Sequence, residues 1–383
     1  MINRRDFLKV SGEGVLLLGG MSMMNACSGV RRDDLSQFDG EQETIKDLEK
    51  DEVQILYLAS LAPSSHNTQP WTVRILEPKR WVIGSDKKRW LPAVDPNNRE
   101  LLLSVGAFIE NLVIAAGTFG YEANIQVTAK SPLDPEIAEI RLKKGKAVEF
   151  PLEKMKKRRT IRSDYLDVAI KGEDLKYITR HDMESCTLLN IPSPHSFYFP
   201  QNSPQAKYLQ EGTIEANRTQ AFRDPAQEEL ANWIRFSNKE GKQYRNGLTP
   251  ESMEIQGVAG WFVRNFYDRA SVLKKSFRDQ TVDVVSKQVK TCGGWVVVTS
   301  ADSGIQTLID YGRVFENVLL KAREKAIAVH PMTQMLEEEA WKNKVAKDLG
   351  VTGEVQWILR MGYVKSYPDP VSLRAPVSRF VRT

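Results

Sequence analysis

The sequence Leu61-Ala62-Pro63-Ser64-Ser65-His66-Asn67-Thr68-Gln69-Pro70-Trp71 joins a predicted helix to a predicted strand. Apolar residues recur at helical spacing over residues 45–61, and apolar and polar residues alternate over residues 71–75. Pro63 ends the helix, and Pro70 restrains the start of the strand. This segment, called the 61–71 loop below, is either a polar edge for a planar ligand or an ordinary helix-to-strand turn. Its short polar side chains supply donors and acceptors: Ser64, Ser65, Asn67 and Gln69.

The bulk composition is that of a soluble globular protein, with 41% hydrophobic and 27% charged residues. The 383 residues allow one large domain or two smaller ones. The formal net charge of +5 is mild and its lysines and arginines are spread along the chain, so we expect no nucleic-acid partner. The four histidines show no metal-ligand spacing, so the sequence predicts no metal site. The three cysteines are far apart and odd in number, so it predicts no disulfide framework; they are Cys27, Cys186 and Cys292.

Residues 1–30 are expected to be an export signal. Arg4 and Arg5 precede Phe7-Leu8-Lys9 and then an apolar run over residues 15–21, which resembles a twin-arginine signal. The apolar run is too short and too rich in glycine for a stable membrane span. A basic, poorly ordered N-terminus is the alternative. The resemblance implies that the twin-arginine machinery exports the folded protein to the periplasm or envelope.

Cys27 follows Met24-Asn25-Ala26 and resembles the lipidated cysteine of a bacterial lipoprotein. Ala26 fits that pattern and Asn25 is unusual in it, so a lipid anchor at Cys27 and an unanchored exported form both stay open. Residues 31–49 are predicted to be a polar tether. The most apolar later stretch, residues 101–119, contains Glu110, whose burial in lipid would be costly, and is expected to be a buried helix.

Two helical segments share one pattern, which indicates an internal repeat. Residues 106–114 and 312–320 both begin with glycine and carry Glu-Asn at the same offsets. Two unrelated core helices with a few letters in common are the alternative. Strands interleaved with helices predict an α+β or α/β domain in each half, over residues 50–150 and 151–383, joined near residues 143–157. The strand-like segments that flank the helices are residues 80–84, 137–142, 295–299 and 355–360.

The second half opens with a basic run, Arg158-Arg159-Thr160-Ile161-Arg162. Arg158 and Arg162 stand at alternate positions around the hydroxyl of Thr160 and could converge on one phosphate dianion. Guanidinium groups suit this role because they donate forked, charge-assisted hydrogen bonds. The alternative is a solvated basic face that continues from Lys154, Lys156 and Lys157.

These segments resemble the flavin-dependent nitroreductase family. Residues 62–71 are similar to its A-P-S-x-x-N-x-Q-P-W element, and most similar to the A-P-S-S-H-N-T-Q-P-W of its Acg-like branch. The resemblance implies that the loop lies along the isoalloxazine ring of FMN and that the basic run grips the FMN phosphate. The implied cofactor-binding residues here are Pro63, Ser64, Ser65, Asn67, Gln69, Arg158, Thr160 and Arg162.

Three later segments extend the resemblance. Pro331-Met332-Thr333 is similar to a turn that flanks flavin N5, with Thr333 where the family has an acidic residue. Arg374 in the tail would be a third phosphate contact, and a surface arginine near a frayed end is the alternative. Residues 201–279 resemble a lid-like insertion of the Acg-like branch. The alternative is a helical excursion with its own small core. In both cases, four aromatic side chains could pack within the segment: Trp261, Phe262, Phe266 and Tyr267.

The implied fold is α+β and nitroreductase-like, with two related halves that form an intramolecular pseudo-dimer around one FMN. The implied function is that of an exported oxidoreductase, which passes a hydride or electrons from a small-molecule donor to a nitro-aromatic, quinone-like or related acceptor. The flavin would carry the chemistry, and no side chain, His66 included, is expected to act as a catalytic base. The alternatives are a protein that holds FMN with little turnover and an exported binding domain without flavin.

Overall fold

The computed structural model describes residues 29–36, 43–163, 165–179 and 195–382. The predictions for the export signal, Cys27 and Cys186 lie outside these residues. The strands are β1 (Trp71–Glu77), β2 (Arg80–Ser85), β3 (Tyr121–Val127), β4 (Glu136–Lys144), β5 (His195–Pro200), β6 (Gly294–Ser300), β7 (Ile327–Pro331), β8 (Glu354–Tyr363) and β9 (Val381–Arg382).

The helices lie between and around these strands, and the predicted α+β class is confirmed. They are α1 (Asp33–Ser36), α2 (Lys50–Ala59), α3 (Arg99–Thr118), α4 (Glu153–Lys156), α5 (Gly172–Thr179), α6 (Pro204–Phe222), α7 (Asp224–Trp233), α8 (Asn238–Tyr244), α9 (Gly257–Phe266), α10 (Arg269–Leu273), α11 (Lys275–Gln288), α12 (Ile305–Glu324), α13 (Gln334–Glu337), α14 (Glu339–Lys342) and α15 (Val345–Leu349).

The two halves build their sheets in the same strand order. The first half has the order β3-β4-β2-β1, and the second half has the order β7-β8-β6-β5. Every neighbouring pair within these two sets is antiparallel. The short strand β9 then pairs in parallel with β1, with Val381 opposite Val73, so the tail of the chain extends the sheet of the first half. The repeat that the sequence indicates in two helices therefore has a counterpart in the strand order.

The repeated helices α3 and α12 pack directly against each other at their glycines. A Cβ atom on Gly106 would lie 2.1 Å from the backbone oxygen of Ile309, and one on Gly312 would lie 2.1 Å from that of Leu103. Only a residue without a Cβ lets the two backbones approach this closely. The shared glycine of the repeat thus has a steric reason in the contact between the two helices.

The Glu-Asn pairs of the repeat lie in the same helix interface. Glu110 accepts hydrogen bonds from Arg313 Nε at 2.8 Å and from Asn317 Nδ2 at 2.9 Å. Its counterpart Glu316 faces Arg158 and Asn111, and burial raises the pKa of Glu316 to about 7 against the opposing effect of these two neighbours. Each half therefore presents a buried glutamate to the asparagine of the other half.

Helix α3 is long and apolar enough to cross a membrane, but 94% of its most apolar 18-residue window is buried inside the protein. It therefore serves as a core helix, as its buried glutamate predicts. Helix α2 is shorter than predicted. The prediction of helix from residue 45 is wrong because Glu49 and Glu52 form a capping box, which begins the helix at Lys50.

The described residues before α2, in the segment predicted to be a polar tether, contact the folded protein. Val30 and Arg32 are buried, at 5% and 6% exposure. The Val30 N–H donates to Asn238 Oδ1 at 3.0 Å, and the Arg32 guanidinium donates to the carbonyl oxygen of Lys156. Farther along, the Glu43 carboxylate accepts from the N–H groups of residues 377 and 378, both at 3.0 Å.

The segment between β5 and β6 is a helical excursion, α6 to α11. It has a small core of its own, which contains Ala231, Ile234, Phe236 and Val272. Trp261 and Phe266 were predicted to pack in this insertion, and that prediction is wrong. Their side chains are 39% and 60% exposed, because they lie on the outward face of α9.

Candidate functional site

The 61–71 loop has a backbone conformation that few sequences adopt. His66, Asn67 and Gln69 have φ angles of 47°, 51° and 53°, in the left-handed region. Such residues cost free energy unless the surrounding structure holds them. Within the loop, Ser64 Oγ accepts a hydrogen bond from the Gln69 N–H at 3.0 Å. The Asn67 N–H also donates to Ser64 O at 2.9 Å, and further support comes from distant parts of the chain.

Asn67 and Gln69 bind the backbone of the insertion and of the tail. Asn67 Nδ2 donates to the carbonyl oxygens of Gly247, at 3.0 Å, and Leu373, at 3.2 Å. Gln69 Nε2 donates to Arg245 O at 2.9 Å, and Gln69 Oε1 accepts from the N–H of residue 375 at 2.9 Å. Both side chains are buried. They therefore fix the loop to two other segments, a role that the sequence pattern does not reveal.

Arg374 and Arg158 meet at the start of the loop. Arg374 Nη2 donates to Leu61 O and Ala62 O, each at 3.0 Å, and Arg374 Nη1 donates to Asn67 Oδ1 at 2.8 Å. Arg158 Nη2 donates to Leu61 O at 2.6 Å. Both arginines are only 4% exposed, so the surface alternatives for these two residues are wrong. Carbonyl oxygens that follow a helix attract cations, and here two guanidinium groups satisfy them.

The charges around these two arginines do not balance. The Arg158 Nε lies 3.3 Å from the Glu316 carboxylate, whereas Arg374 has no ion pair with any residue that the structure describes. Burial lowers the pKa of Arg374 well below its usual range, and the charges of Arg32 and Arg158 lower it further. Arg374 Nε is buried without a hydrogen-bond partner in the described part of the chain. This donor set suits an anionic group.

Arg162 has different surroundings from Arg158. Its Nη1 donates to Ser252 O at 2.7 Å, and its N–H donates to Glu254 Oε1 at 2.8 Å. Burial lowers the pKa of His66 against the opposing charge of Glu100, and the charge of Arg162 lowers it further, so the imidazole is neutral near pH 7. Thr160 is half-buried between the two arginines. Arg158 and Arg162, at the two ends of the basic run, therefore bind different parts of the chain. Their assignment to phosphate stays a prediction.

Glu100, which the sequence analysis missed, joins the loop to the predicted N5 turn. Ser65 Oγ donates to Glu100 Oε2 at 2.5 Å. Thr333 Oγ1 lies 2.9 Å from Glu100 Oε1 and 3.1 Å from Glu337 Oε1. A hydroxyl group has one proton to donate, so Thr333 can accept from one of these carboxyl groups only when that group is protonated. Residues from both halves thus meet around two neighbouring carboxyl groups, Glu100 and Glu337.

Burial controls the protonation of this group. It raises the pKa of Glu337 well above the usual value, and the neighbouring charge of Glu100 acts in the same direction. It also raises the pKa of Asp95 to about 6, again with a contribution from Glu100. The cation beside them is Arg99, whose Nη2 lies 3.1 Å from Glu100 Oε1. Isolated glutamates in a sequence give no signal for such a cluster.

Replacing Glu337 with glutamine is expected to change how stability depends on pH. Above pH 4.5, the ordinary pKa, the native wild type holds a proton that the unfolded chain has lost, so its stability falls as pH rises. Glutamine does not titrate, so the stability of Glu337→Gln relative to wild type should increase from pH 4.5 to pH 8. Urea unfolding at a series of pH values measures this. The matched control is Glu339→Gln, which changes a side chain that is 79% exposed. If stability depends on pH in the same way in Glu337→Gln and wild type, Glu337 does not have a raised pKa in the native protein.

The predicted N5 turn offers fewer backbone donors than its resemblance implies. Pro331 has no N–H, and the Met332 N–H donates to Ile358 O at 2.9 Å. Of the three predicted residues, only Thr333 keeps an N–H for a ligand. The loop, Arg158 and Arg374 meet in one place, and Ser65 and Thr333 meet at Glu100.

The chain is similar in sequence to several known proteins. No protein-family model matches the chain. The chain is 26% identical over 336 residues to "Putative NAD(P)H nitroreductase Rv3131" of Mycobacterium tuberculosis (strain H37Rv). The matched segment covers 83% of this chain and 86% of the relative. This chain is similar in sequence to proteins named NAD(P)H nitroreductases. That similarity agrees with the resemblance seen in the 61–71 loop.

Two further similarities are more limited. The chain is 40% identical over 78 residues to "Putative NAD(P)H nitroreductase acg" of Mycobacterium tuberculosis, and the matched segment covers 20% of the chain and 23% of that relative. A crystal structure of the FMN-dependent nitroreductase NfnB from Mycobacterium smegmatis in complex with NADPH is 12% identical, covers 60% of this chain and 96% of that chain, and has a TM-score of 0.37.

Proposed function

We propose that the protein is an FMN-dependent oxidoreductase, which transfers a hydride or electrons from NAD(P)H or another small donor to a nitro-aromatic, quinone-like or related small acceptor. The observation that carries this proposal is the meeting of the 61–71 loop, from the first half, with Arg158 and Arg374, from the second half. Relatives that cover most of the chain are named NAD(P)H nitroreductases. The strained loop supports the proposal because such conformations persist where a ligand needs them.

The residues fit an FMN by their chemistry. Arg158 and Arg374 bring two buried guanidinium groups against one carboxylate, Glu316, so an added phosphate would improve the charge balance. Among the described residues, His66 Nδ1 and Arg374 Nε are buried without hydrogen-bond partners, which leaves polar atoms for a ligand to satisfy. The proposed phosphate contacts are Arg158, Thr160, Arg162 and Arg374, and the proposed ring contacts are Pro63, Ser64, Ser65, Asn67, Gln69, Pro331, Met332 and Thr333.

When bound, FMN supplies the hydride and electron transfer. The protein's own residues would hold and orient it. Asn67 and Gln69 fix the loop to Gly247 and the tail, so the loop edge is rigid before a ligand arrives. The Glu100 carboxyl group bridges Ser65 and Thr333 at the place where the two halves meet, and burial beside it raises the pKa of Glu337. We propose that the halves over residues 50–150 and 151–383 play the parts of two subunits around a single site.

Alanine at Arg158 or Arg162 is expected to weaken FMN binding by about 1.5–3 kcal/mol, the usual contribution of a charged hydrogen bond. The measurement is a titration of the flavin-free protein with FMN, followed by the quenching of flavin fluorescence. Lys157→Ala, at an exposed position of the same basic run, is the matched control and should bind FMN as wild type does. Wild-type affinity in both arginine variants would refute the phosphate assignment.

A second function is favoured by the contacts of the insertion. Gly247 exchanges hydrogen bonds with Asn67, through its N–H to Asn67 O at 2.9 Å and its carbonyl oxygen to Asn67 Nδ2 at 3.0 Å. Ser252 accepts from Arg162. An insertion held on the loop in this way could cover a bound flavin as a lid, and the protein would then hold FMN with little turnover.

Anaerobic mixing of the FMN-loaded protein with NADH or NADPH separates these functions. Loss of the oxidised flavin absorbance within the mixing time supports the oxidoreductase, and an absorbance that is stable for hours supports the holding protein. Colourless protein that does not take up FMN would exclude both and leave a binding domain without flavin.

We also propose export by the twin-arginine route, with Cys27 as a candidate lipid attachment site. The motif Arg4-Arg5 and the apolar run that follows support this proposal. An exported enzyme would need an electron donor other than cytoplasmic NAD(P)H. Changing Arg4 and Arg5 together to lysine should leave the protein in the cytoplasmic fraction, and unchanged fractionation would reject the route.

A further inference from the structure

The carboxylate of Glu254, in the insertion, is bound at the C-terminal end of the basic run. Its Oε1 accepts a hydrogen bond from the Arg162 N–H at 2.8 Å and lies 3.5 Å from Arg159 Nη2. Its Oε2 accepts from Ser163 Oγ. A backbone N–H, a hydroxyl group and a guanidinium group are the kinds of donor with which proteins bind phosphate. This end of the run therefore binds an anion, and the chain itself supplies that anion.

One carboxylate is a poor match for the positive charge at this end of the run. Arg360 lies beside Arg162, since its Nη2 donates to Arg162 O at 2.7 Å. Burial lowers the pKa of Arg162; the charge of Glu254 opposes this effect, and the charges of Arg159 and Arg360 add to it. Arg159 Nε is buried without a hydrogen-bond partner among the described residues. A phosphate monoester carries about −1.5 to −2 charges at pH 7 and offers three acceptor oxygens, so it would match three guanidinium groups better.

Glu254 is held in an unfavourable backbone conformation. Its φ angle is 65°, in the left-handed region, where residues other than glycine are uncommon. The turn before it is fixed, because Thr249 and Ser252 exchange hydrogen bonds. The chain after it is exposed at residues 256–259, and no atom lies within 4 Å of a Cβ added to Gly257. The contacts of the carboxylate therefore offset backbone strain, and Glu254 can leave them through a movement of exposed chain.

We propose that Arg159, Arg162 and Ser163 form a binding site for a phosphate monoester, and that Glu254 is an internal competitor that the ligand's phosphate displaces. The phosphate of FMN is one source of this group, and for that source the proposal rests on the proposed function. The 2′-phosphate of NADPH has the same chemistry and is the other source. Ser163 is exposed, so the site can be reached from solvent. Glu254 then lowers the affinity for a phosphate-bearing ligand without contacting the rest of it.

The test compares ligands that differ only by this group: FMN with riboflavin, and NADP⁺ with NAD⁺. Calorimetric titration measures the first pair on the flavin-free full chain and the second pair on the FMN-loaded protein. Glu254→Gln removes the charge of the competitor and keeps its size. It should bind the ligand whose phosphate enters the site about tenfold more tightly than wild type, because hydrogen bonds to a charged acceptor are stronger than those to a neutral one. The matching ligand without the phosphate should bind with unchanged affinity.

Two further variants separate competition from a general effect of charge or stability. Asp279→Asn removes a carboxylate of the same insertion, which is paired with Lys275 at the surface, and it should bind every ligand as wild type does. Glu254→Asp keeps the charge on a side chain that is one methylene shorter, so it should give a smaller gain than Glu254→Gln. Aspartate also tolerates the left-handed conformation better than most residues, which protects the fold.

Each pair of ligands gives a separate answer. A gain for FMN but not riboflavin shows that the site takes the phosphate of the flavin, and a gain for NADP⁺ but not NAD⁺ shows that it takes that of the donor. The proposal is overturned if Glu254→Gln binds none of the four ligands more tightly than wild type, or if both members of a pair gain equally. Failure of the proposed function differs from both results, because no form, wild type included, would take up FMN. NADP⁺ and NAD⁺ would then decide the proposal on the flavin-free protein.

Discussion

Alanine at Gly312 is expected to lower the free energy of unfolding by about 3 kcal/mol, at the upper end of the usual cost of overpacking a core. The added Cβ would lie 2.1 Å from Leu103 O and 2.9 Å from the Cα of Gly106. Both obstacles are backbone atoms of the facing helix, so no side chain can move aside, and α3 and α12 must separate. Because these helices join the two halves, the loss should appear as a lower midpoint in both thermal and urea unfolding.

Gly106→Ala should behave in the same way, because its Cβ would meet Ile309 O at 2.1 Å. Gly172→Ala is the matched control: no atom lies within 4 Å of its added Cβ, and alanine is the better helix former. Unfolding midpoints of the two core variants equal to that of wild type would mean that the helices do not meet at their glycines.

Methionine at Arg374 is expected to cost about 3 kcal/mol of stability, since it leaves buried acceptors without donors at about 1–3 kcal/mol each. Ala62 O and Asn67 Oδ1 would lose their contacts with the guanidinium, and Leu61 O would keep only Arg158. The 61–71 loop should then relax from its left-handed conformation. Hydrogen exchange of the loop amides and urea unfolding measure the two consequences.

Two further variants make this result specific. Arg374→Lys keeps the charge, but one ammonium group cannot reach three separate oxygens, so it should restore only part of the stability. Arg382→Met changes an exposed arginine of the same tail, whose contacts are carbonyl oxygens of residues 379 and 381, and should stay within about 0.5 kcal/mol of wild type. Slow amide exchange in the loop of Arg374→Met would show that the guanidinium does not hold it.

Much of the regular structure could be predicted from local pattern. The four strand-like segments flanking the repeated helices are all strands, and each extends by one to three residues at one or both ends because the ladder hydrogen bonds continue past the apolar pattern. The repeated helices were recognisable because their contact requires a glycine, which leaves a mark in both copies. The start of α2 was misplaced because the apolar spacing continues upstream of the capping glutamates.

The connections of the site could not be predicted in this way. Glu100 belongs to no motif and lies 233 residues from Thr333 in sequence, yet the two side chains are in contact and Thr333 also reaches Glu337. Arg158 and Arg162 stand in one short motif, but the first binds Leu61 O and the second binds Ser252 O. Spacing along the chain does not indicate which acceptor each guanidinium reaches.

The sequence by itself determined the α+β class, the repeat and the 61–71 loop, since alternation, helical spacing, proline and glycine act on the backbone within a few residues. Only the tertiary structure decided which of the polar groups are buried, which face each other and which hold a proton. The physical reason is that desolvation and charge act through space. Arg374 becomes a support for the loop, and Glu337 an uncharged acid, only once segments hundreds of residues apart exclude water from them.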